Sequence, residues 1–120
     1  MKIAFSTTGD NLDGPLDSRF GRARSFLIYD TETGSMELIS NDQNLNAAQG
    51  AGIQSAETVA RSGAGCVITG HCGPKAFMVL KSAGVAIYNT TAATVREALE
   101  LFQAGKLEPA SDADVESHWV

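Results

Sequence analysis

The sequence is poor in the features that mark several large protein classes. Its 120 residues include two cysteines, Cys66 and Cys72, which are too few for a disulfide scaffold and are typical of a reducing compartment. No apolar run approaches the roughly 18 residues that a membrane helix needs. The start does not resemble a signal peptide, because the polar pair Ser6 and Thr7 soon follows Lys2. We therefore expect a cytoplasmic protein without a membrane segment.

Positive charge is also scarce. Nine basic residues against fourteen acidic ones give a net charge of −5, which argues against a protein that binds nucleic acid over its whole surface. The imbalance is local, because residues 108–120 hold four carboxylates and no Lys or Arg. We therefore expect a single, nearly neutral domain over residues 1–107 and an acidic tail over residues 108–120. The tail is either a solvated end or a partner-binding segment. The second interpretation rests on Trp119, which gives the tail an apolar tip.

One short segment carries the opposite charge. The arginine loop, residues 18–24, contains three guanidinium groups and no carboxylate. Those groups belong to Arg19, Arg22 and Arg24. Planar guanidinium groups bind phosphates and other anions through paired hydrogen bonds. The loop is therefore a candidate anion site, and the alternative is an ordinary exposed loop.

Apolar periodicity predicts the fold. Short or alternating apolar runs predict five strands, at residues 2–7, 25–30, 36–40, 66–69 and 85–88. The last two have no polar alternation and are predicted to be buried on both faces. Helical spacing predicts three helices, one with the stripe Ile53, Ala56, Val59 and Ala60, one over residues 74–84, and one after a capping box of Thr94 and Glu97. The predicted buried face of the last helix consists of Val95, Ala98, Leu99 and Phe102. This order predicts a three-layer α/β/α sandwich around a mixed five-stranded sheet with an antiparallel hairpin edge. The long connections are predicted to be residues 8–21, functional or mobile, and residues 41–51.

Ligands of such sheets collect beyond the carboxyl ends of the parallel strands. The most reactive sequence there is Gly70-His71-Cys72-Gly73, which offers an imidazole, a thiol and the N-terminus of a helix. A helix N-terminus favours thiolate, so Cys72 is a candidate ligand, with an ordinary loop residue as the alternative. Cys66 begins an apolar strand and is predicted to pack in the core.

Several enzyme classes lack their motifs in this chain. It has no G-x-x-x-x-G-K-[ST] phosphate loop, no dinucleotide-binding glycine fingerprint and no G-x-S-x-G nucleophile elbow. The remaining candidate nucleophile is Cys72 with His71 as its base. Adjacent residues, however, rarely form the hydrogen bond between base and nucleophile that such a pair requires. We therefore expect no catalysis, with a small thiol enzyme as an alternative.

Three sequence blocks carry a family resemblance. They are residues 16–23 with Arg-Phe-Gly-Arg, residues 49–53 with Gly-Ala-Gly, and residues 73–77 with Gly-Pro-Lys-Ala. With the strands around them, they resemble the dinitrogenase iron–molybdenum cofactor biosynthesis family over about residues 1–104. The resemblance implies a fold layered like that of ribonuclease H and a small carrier or scaffold for metal–sulphur clusters. Within the family, the chain is similar to a short stand-alone branch associated with a noncovalently held molybdenum–copper sulphide cluster.

The chain departs from the family pattern in one place. Many members carry a histidine before the Gly-Ala-Gly block, where residues 44–49 of this chain have none. The resemblance therefore does not imply a histidine-ligated iron cluster there. The fold alone would suggest nuclease activity, but this chain lacks the clustered acidic ligands that such activity needs.

The resemblance, together with the arginine loop and the helix N-terminus, implies a non-catalytic carrier of an anionic molybdenum-containing metal–sulphur cluster, with molybdenum–copper sulphide favoured over an iron–molybdenum type. The predicted cluster-binding residues are Arg19, Arg22, Arg24, Gly70, His71, Cys72 and Gly73, with Cys72 and His71 as candidate metal ligands. The expected partners are the cluster and proteins of a cofactor-assembly or larger complex, a P-loop ATPase among them, but neither nucleic acid nor membranes. The alternative is an interaction module that carries no metal and docks through its acidic tail.

Overall fold

The computed structural model describes residues 1–42 and 50–111. Its strands are β1 (Lys2–Thr7), β2 (Ser25–Asp30), β3 (Met36–Ser40), β4 (Cys66–Thr69) and β5 (Ala86–Asn89). The helices of the described residues are α1 (Ala51–Arg61), α2 (Pro74–Ser82) and α3 (Val95–Gln103). Within this part of the chain, every helix is too short or too polar to cross a membrane.

The sheet is mixed, with the strand order β3-β2-β1-β4-β5. The central strand β1 pairs antiparallel with β2 and parallel with β4. A turn at Gly34, where φ is +74°, joins β2 and β3 into an antiparallel hairpin at one edge. The helix α2 joins the parallel strands β4 and β5. The predicted mixed five-stranded sheet with a hairpin edge is confirmed.

Helices cover both faces of the sheet because the central strands are apolar on both sides. The alternation of β1 sends Ala4 into a core shared with α1 and α2, and sends Ile3 and Phe5 into a second core under α3. The three-layer α/β/α sandwich is therefore confirmed. Cys66 lies fully buried in the second core, and burial raises the pKa of its thiol to about 11. It is a packing residue, as predicted.

The fifth strand differs from the prediction in position and in burial. It begins at Ala86 rather than Val85, because the Val85 amide donates to a carbonyl at the end of α2 at 2.9 Å. It is a partly exposed edge strand rather than a strand buried on both faces. Pro109 and Ala110 lie along it, and the Ala110 amide donates to Ile87 at 2.7 Å. Main-chain pairing with β5 thus includes residues 109 and 110, and the boundary at residue 107 stays a prediction.

Two helices bury faces that differ from the predicted stripes. In α1, Ile53 is half-buried, and Ser55 is fully buried although it is polar. In α3, Phe102 is half-buried and packs edge-to-face on Tyr88, with 5.1 Å between the ring centroids. The capping box is present, since Thr94 Oγ1 accepts from the amide of the glutamate three residues later at 3.1 Å.

Main-chain bridges tie the long connection after β1 to that strand and to α3. Thr7 bridges to Leu16, and Pro15 bridges to Thr94 at the start of α3. Residues 43–49, which make up most of the predicted loop 41–51, lie outside the described residues, as do residues 112–120 of the acidic tail.

Candidate functional site

A cavity of about 370 Å³ lies where the arginine loop crosses the N-terminal ends of α1 and α2. Small-molecule sites commonly have volumes of about 300–1,000 Å³. Residues 18–22 form one wall, and the other wall is made by Ala51, Gly52, His71, Gly73 and Ala76. The cavity therefore lies beyond the carboxyl end of β4, where an open α/β sheet places its ligands.

Main-chain pairing holds the arginine loop against the connection between β4 and α2. The Phe20 amide donates to His71 O at 3.0 Å, and Arg19 and His71 form a parallel bridge. The Phe20 ring is buried and packs against Phe26, with 5.1 Å between the ring centroids. Phe20 therefore anchors the loop in the core between its two cavity-lining arginines, Arg19 and Arg22.

Two glycines let the backbones of these segments approach closely. A Cβ on Gly70 would lie 2.6 Å from Ser18 Cα and 2.7 Å from Ser18 O. A Cβ on Gly21 would lie 3.0 Å from Gly52 Cα. Any larger residue at either position would push the arginine loop away from the cavity. Gly70 thus supports the site by letting the loop pack, and it is not among the residues that line the cavity.

Buried hydroxyl groups fix the start of the loop. Ser6 Oγ lies 2.8 Å from Asp17 O and 2.7 Å from Thr69 Oγ1, and both hydroxyl residues are fully buried. The Asp17 carboxylate accepts from the Arg19 amide at 3.0 Å. The ends of β1 and β4 therefore hold the entry to the loop, and this carboxylate is used locally by the backbone.

The N-termini of α1 and α2 are chemically open toward anions. Their N-cap residues are Gly50 and Gly73, and in the described residues neither helix has a side-chain cap or an acidic residue in its first turn. The first amides of a helix have no acceptor within the helix, and its dipole places partial positive charge there. Two such ends meet at this cavity, since Ala51 and Gly52 begin one helix and Gly73 and Ala76 flank the start of the other.

Two arginine side chains add positive charge to the cavity wall. Arg19, Arg22 and His71 line it, and no carboxylate does so among the described residues. His71 and Arg19 are exposed, so both can reach a ligand. The arrangement can hold a compact anion by charge and by hydrogen bonds from guanidinium groups and main-chain amides.

Four of the predicted site residues converge on this cavity, namely Arg19, Arg22, His71 and Gly73. Arg24 is exposed but lies past the part of the arginine loop that forms the wall. Within the described residues, no group of three or more His, Cys, Asp or Glu side chains is arranged to hold a metal ion.

Cys72 does not present the accessible thiol that we expected. Its side chain is 1 % exposed and belongs to the core under α1 and α2, and it is not among the residues that line the cavity. Its sulphur lies 3.7 Å from Gly73 O. The alternation of side chains along this short extended segment turns His71 outward and Cys72 inward, a direction that spacing alone did not reveal.

Two residues that support the site were missed in the sequence. Asn41 and Ser55 are fully buried and hydrogen-bond to each other behind the arginine loop. A serine within the apolar stripe of α1 was the available signal, since a buried hydroxyl needs a hydrogen-bond partner.

Comparisons with known proteins agree with the observed fold. The family model described as dinitrogenase iron-molybdenum cofactor matches residues 1–105. An uncharacterized protein of Methanocaldococcus jannaschii is 34% identical over 111 residues, which are 90% of each chain. The solved apo form of the orange protein from Desulfovibrio gigas is 38% identical, has a TM-score of 0.92, and is matched over 95% of this chain and 96% of its own. An NMR structure of a candidate NifB protein from Thermotoga is 35% identical, with a TM-score of 0.79 and coverage of 90% and 91%.

Proposed function

The chain belongs to the dinitrogenase iron-molybdenum cofactor family, and on that premise we propose that it is a non-catalytic carrier of an anionic molybdenum-containing metal–sulphur cluster. The supporting observation is the cavity, which combines two helix N-termini without side-chain caps with basic side chains and no carboxylate in its described wall. Such a wall favours a compact anion over a bare metal cation.

We assign the binding roles by position. Arg19 and Arg22 neutralise the charge of the cluster, and His71 faces it from the opposite wall. The first amides of α1 and the amides that follow Pro74 in α2 donate hydrogen bonds to its sulphur atoms, since proline itself has no N–H. Direct metal ligation by His71 or Cys72, and any contact from Arg24, stay predictions, since Arg24 and Cys72 lie outside the wall. A molybdenum–copper sulphide suits this wall because its sulphur atoms already ligate the metals and the protein supplies mainly charge.

Uptake of a thiometallate tests this function. Protein purified without added metal is analysed for molybdenum and copper, then titrated with tetrathiomolybdate in the presence of copper(I) while visible absorption is followed. We expect a saturable new absorption band with bound molybdenum after gel filtration. Colourless protein that takes up no thiomolybdate would overturn the carrier function.

The arginines of the wall provide the matched variants. Replacing both Arg19 and Arg22 by Gln should weaken thiomolybdate binding by about 100-fold, because each hydrogen bond to a charged group contributes about 1.5 kcal/mol or more. Arg61→Gln is the control, since Arg61 is exposed in the last turn of α1, at the end opposite the cavity. Equal affinity of the double variant and the control would move the site elsewhere.

A second function, docking to a partner protein, is favoured by the hairpin edge, where β3 pairs with no further strand in the described part of the chain. The strand β3 ends the sheet and exposes Met36 and Leu38, which are 50% and 44% accessible. Unpaired edge strands with apolar side chains are common places for protein contacts. The two functions are separable, because Leu38→Glu should leave thiomolybdate uptake unchanged while it weakens any protein contact at that edge.

A further inference from the structure

The arginine loop is tied from behind by two buried polar residues that do not touch the cavity. Asn41 follows β3, and Ser55 lies on α1, and both are 0% exposed. Asn41 Nδ2 donates to Ala23 O at 2.8 Å and to Ser55 Oγ at 3.0 Å. The Asn41 amide donates to Arg24 O at 2.9 Å. One residue thus binds two successive carbonyls at the end of the arginine loop.

Ser55 extends the same contact to the middle of the loop. Its hydroxyl lies 3.3 Å from Gly21 O and 3.3 Å from Asn41 Oδ1, so its single proton serves these two acceptors. The carbonyls held by this pair belong to Gly21, Ala23 and Arg24, and they flank Arg22 on both sides. Because backbone on each side of Arg22 is fixed, the point from which its side chain enters the cavity is fixed too.

We propose that Asn41 and Ser55 are positioning residues of the anion site: they set the affinity for the anion by holding Arg22 at the cavity wall. This inference rests on the proposed function, since it names what prepares that site. A preformed basic loop loses little conformational entropy when the ligand binds, whereas a loose loop has to be ordered at that moment. Buried and mutually satisfied polar groups are suited to this because any displacement leaves them without partners in the core.

The test removes one hydroxyl and keeps the helix. Ser55→Ala deletes the bond to Gly21 O, and alanine is a better helix former than serine. Thr58→Ala is the matched control, because the Thr58 hydroxyl donates to Gln54 O within α1 at 3.0 Å. With tetrathiomolybdate as the probe, we expect Ser55→Ala to bind about five-fold more weakly, as for one lost hydrogen bond, and Thr58→Ala to bind like the wild type.

A double-mutant cycle separates positioning from general destabilisation. If Ser55 acts through Arg22, Ser55→Ala should have no further effect on affinity in an Arg22→Gln background, because residues coupled through a shared stretch of backbone are non-additive. A loss of affinity that adds fully to that of Arg22→Gln would overturn the proposal, and so would wild-type affinity of folded Ser55→Ala.

Amide hydrogen exchange tests the same contact without any ligand. The amides of Phe20, Ala23 and Asn41 are hydrogen-bonded within or beside the arginine loop, to His71, Phe20 and Arg24 respectively. In Ser55→Ala they should exchange about five-fold faster relative to the strand amides of β1, which report global unfolding. Unchanged protection would overturn the positioning role. If the wild type binds no thiomolybdate but Ser55→Ala loosens the loop, the proposed function fails while the fixing of the loop by this pair stands.

Discussion

The N-termini of the described helices differ sharply between the two faces of the sheet. On one face, the first three amides of α3 all have acceptors, since Val95 donates to Gly14 O at 3.0 Å, Arg96 to Leu12 O at 2.7 Å and Glu97 to Thr94 Oγ1 at 3.1 Å. On the other face, α1 and α2 have glycine as their N-cap residue and no side-chain cap in the described residues.

The same connection after β1 produces this difference. Residues 11–16 satisfy the start of α3, and residues 18–22 place arginines before the other two helices. Where the chain itself supplies acceptors for the first amides of a helix, that helix end contributes to stability. Where the helix end faces a basic cavity, its first amides remain available to a ligand. The comparison therefore predicts that changes near α3 alter stability alone, and that changes near the cavity alter binding.

The largest effect is expected from substitution of the glycines that let two backbone segments approach closely, one beside the cavity and one near α3. Gly70→Ala would place a Cβ 2.6 Å from Ser18 Cα, so we expect a loss of about 3 kcal/mol in unfolding free energy together with loss of thiomolybdate binding. Gly14→Ala is the counterpart near α3, where the Cβ would lie 3.0 Å from Gly9 Cα. It should reduce stability less and leave the affinity unchanged, as measured by urea unfolding and by titration.

Removal of the cap of α3 should destabilise the protein without affecting the site. Thr94→Ala deletes the acceptor of the Glu97 amide, which typically costs about 1 kcal/mol of unfolding free energy. Urea unfolding measures this loss, and thiomolybdate titration of the same variant should match the wild type. Weaker binding by this variant would break the separation between the two faces.

An acid placed at the start of α2 should have the opposite pair of effects. Lys75 is exposed in the first turn of α2, and Lys75→Glu would give this helix the N-terminal charge that Glu97 gives α3. We expect a gain of about 0.5 kcal/mol in unfolding free energy from the helix dipole. Thiomolybdate should bind about three-fold more weakly at low salt, and less so at high salt because of screening. Unchanged affinity at low salt would show that the end of α2 does not face the ligand.

The smallest effect concerns the ion pair that ties the connection to α3. The Arg96 guanidinium, 2.8 Å from Asp13 Oδ1, lowers the pKa of the Asp13 carboxyl below its ordinary value of 3.8. Stability from this pair is present above that value and is lost as the pH falls through the lowered pKa. Asp13→Asn should therefore lose less stability than the wild type on acidification from about pH 6 to about pH 3. Equal losses, measured by urea unfolding, would show that the exposed pair contributes nothing.

Local sequence patterns predicted most of the fold because they depend on short-range physics. The alternation of Ile3, Ala4 and Phe5 gave β1 its two buried faces, and the capping box at Thr94 gave the start of α3. The predicted start of β5 was wrong because the Val85 amide hydrogen-bonds to the end of α2. The edge position of β5 could not be predicted, since it depends on a strand order that no local pattern contains.

The charged residues of the site could be predicted from the sequence, but the buried residues that hold the arginine loop in position could not. Arg19, Arg22 and His71 follow from composition and from the rule for strand ends, and the structure brings them together. The direction of Cys72 and the pairing of Asn41 with Ser55 depend on contacts between distant segments. Such contacts are determined by tertiary packing. The sequence offered only one signal for them, the polar Ser55 within the apolar stripe of α1.

Mapping the amides that respond to the anion tests the central claim most directly. In ¹⁵N–¹H spectra of the labelled protein titrated with tetrathiomolybdate, we expect saturable shifts confined to the cavity wall: residues 18–22, the first turn of α1, and residues 71–76. The amides of Val95, Arg96 and Glu97 already have acceptors and should not move. Shifts centred on α3, or no saturable shift at the cavity, would contradict the account.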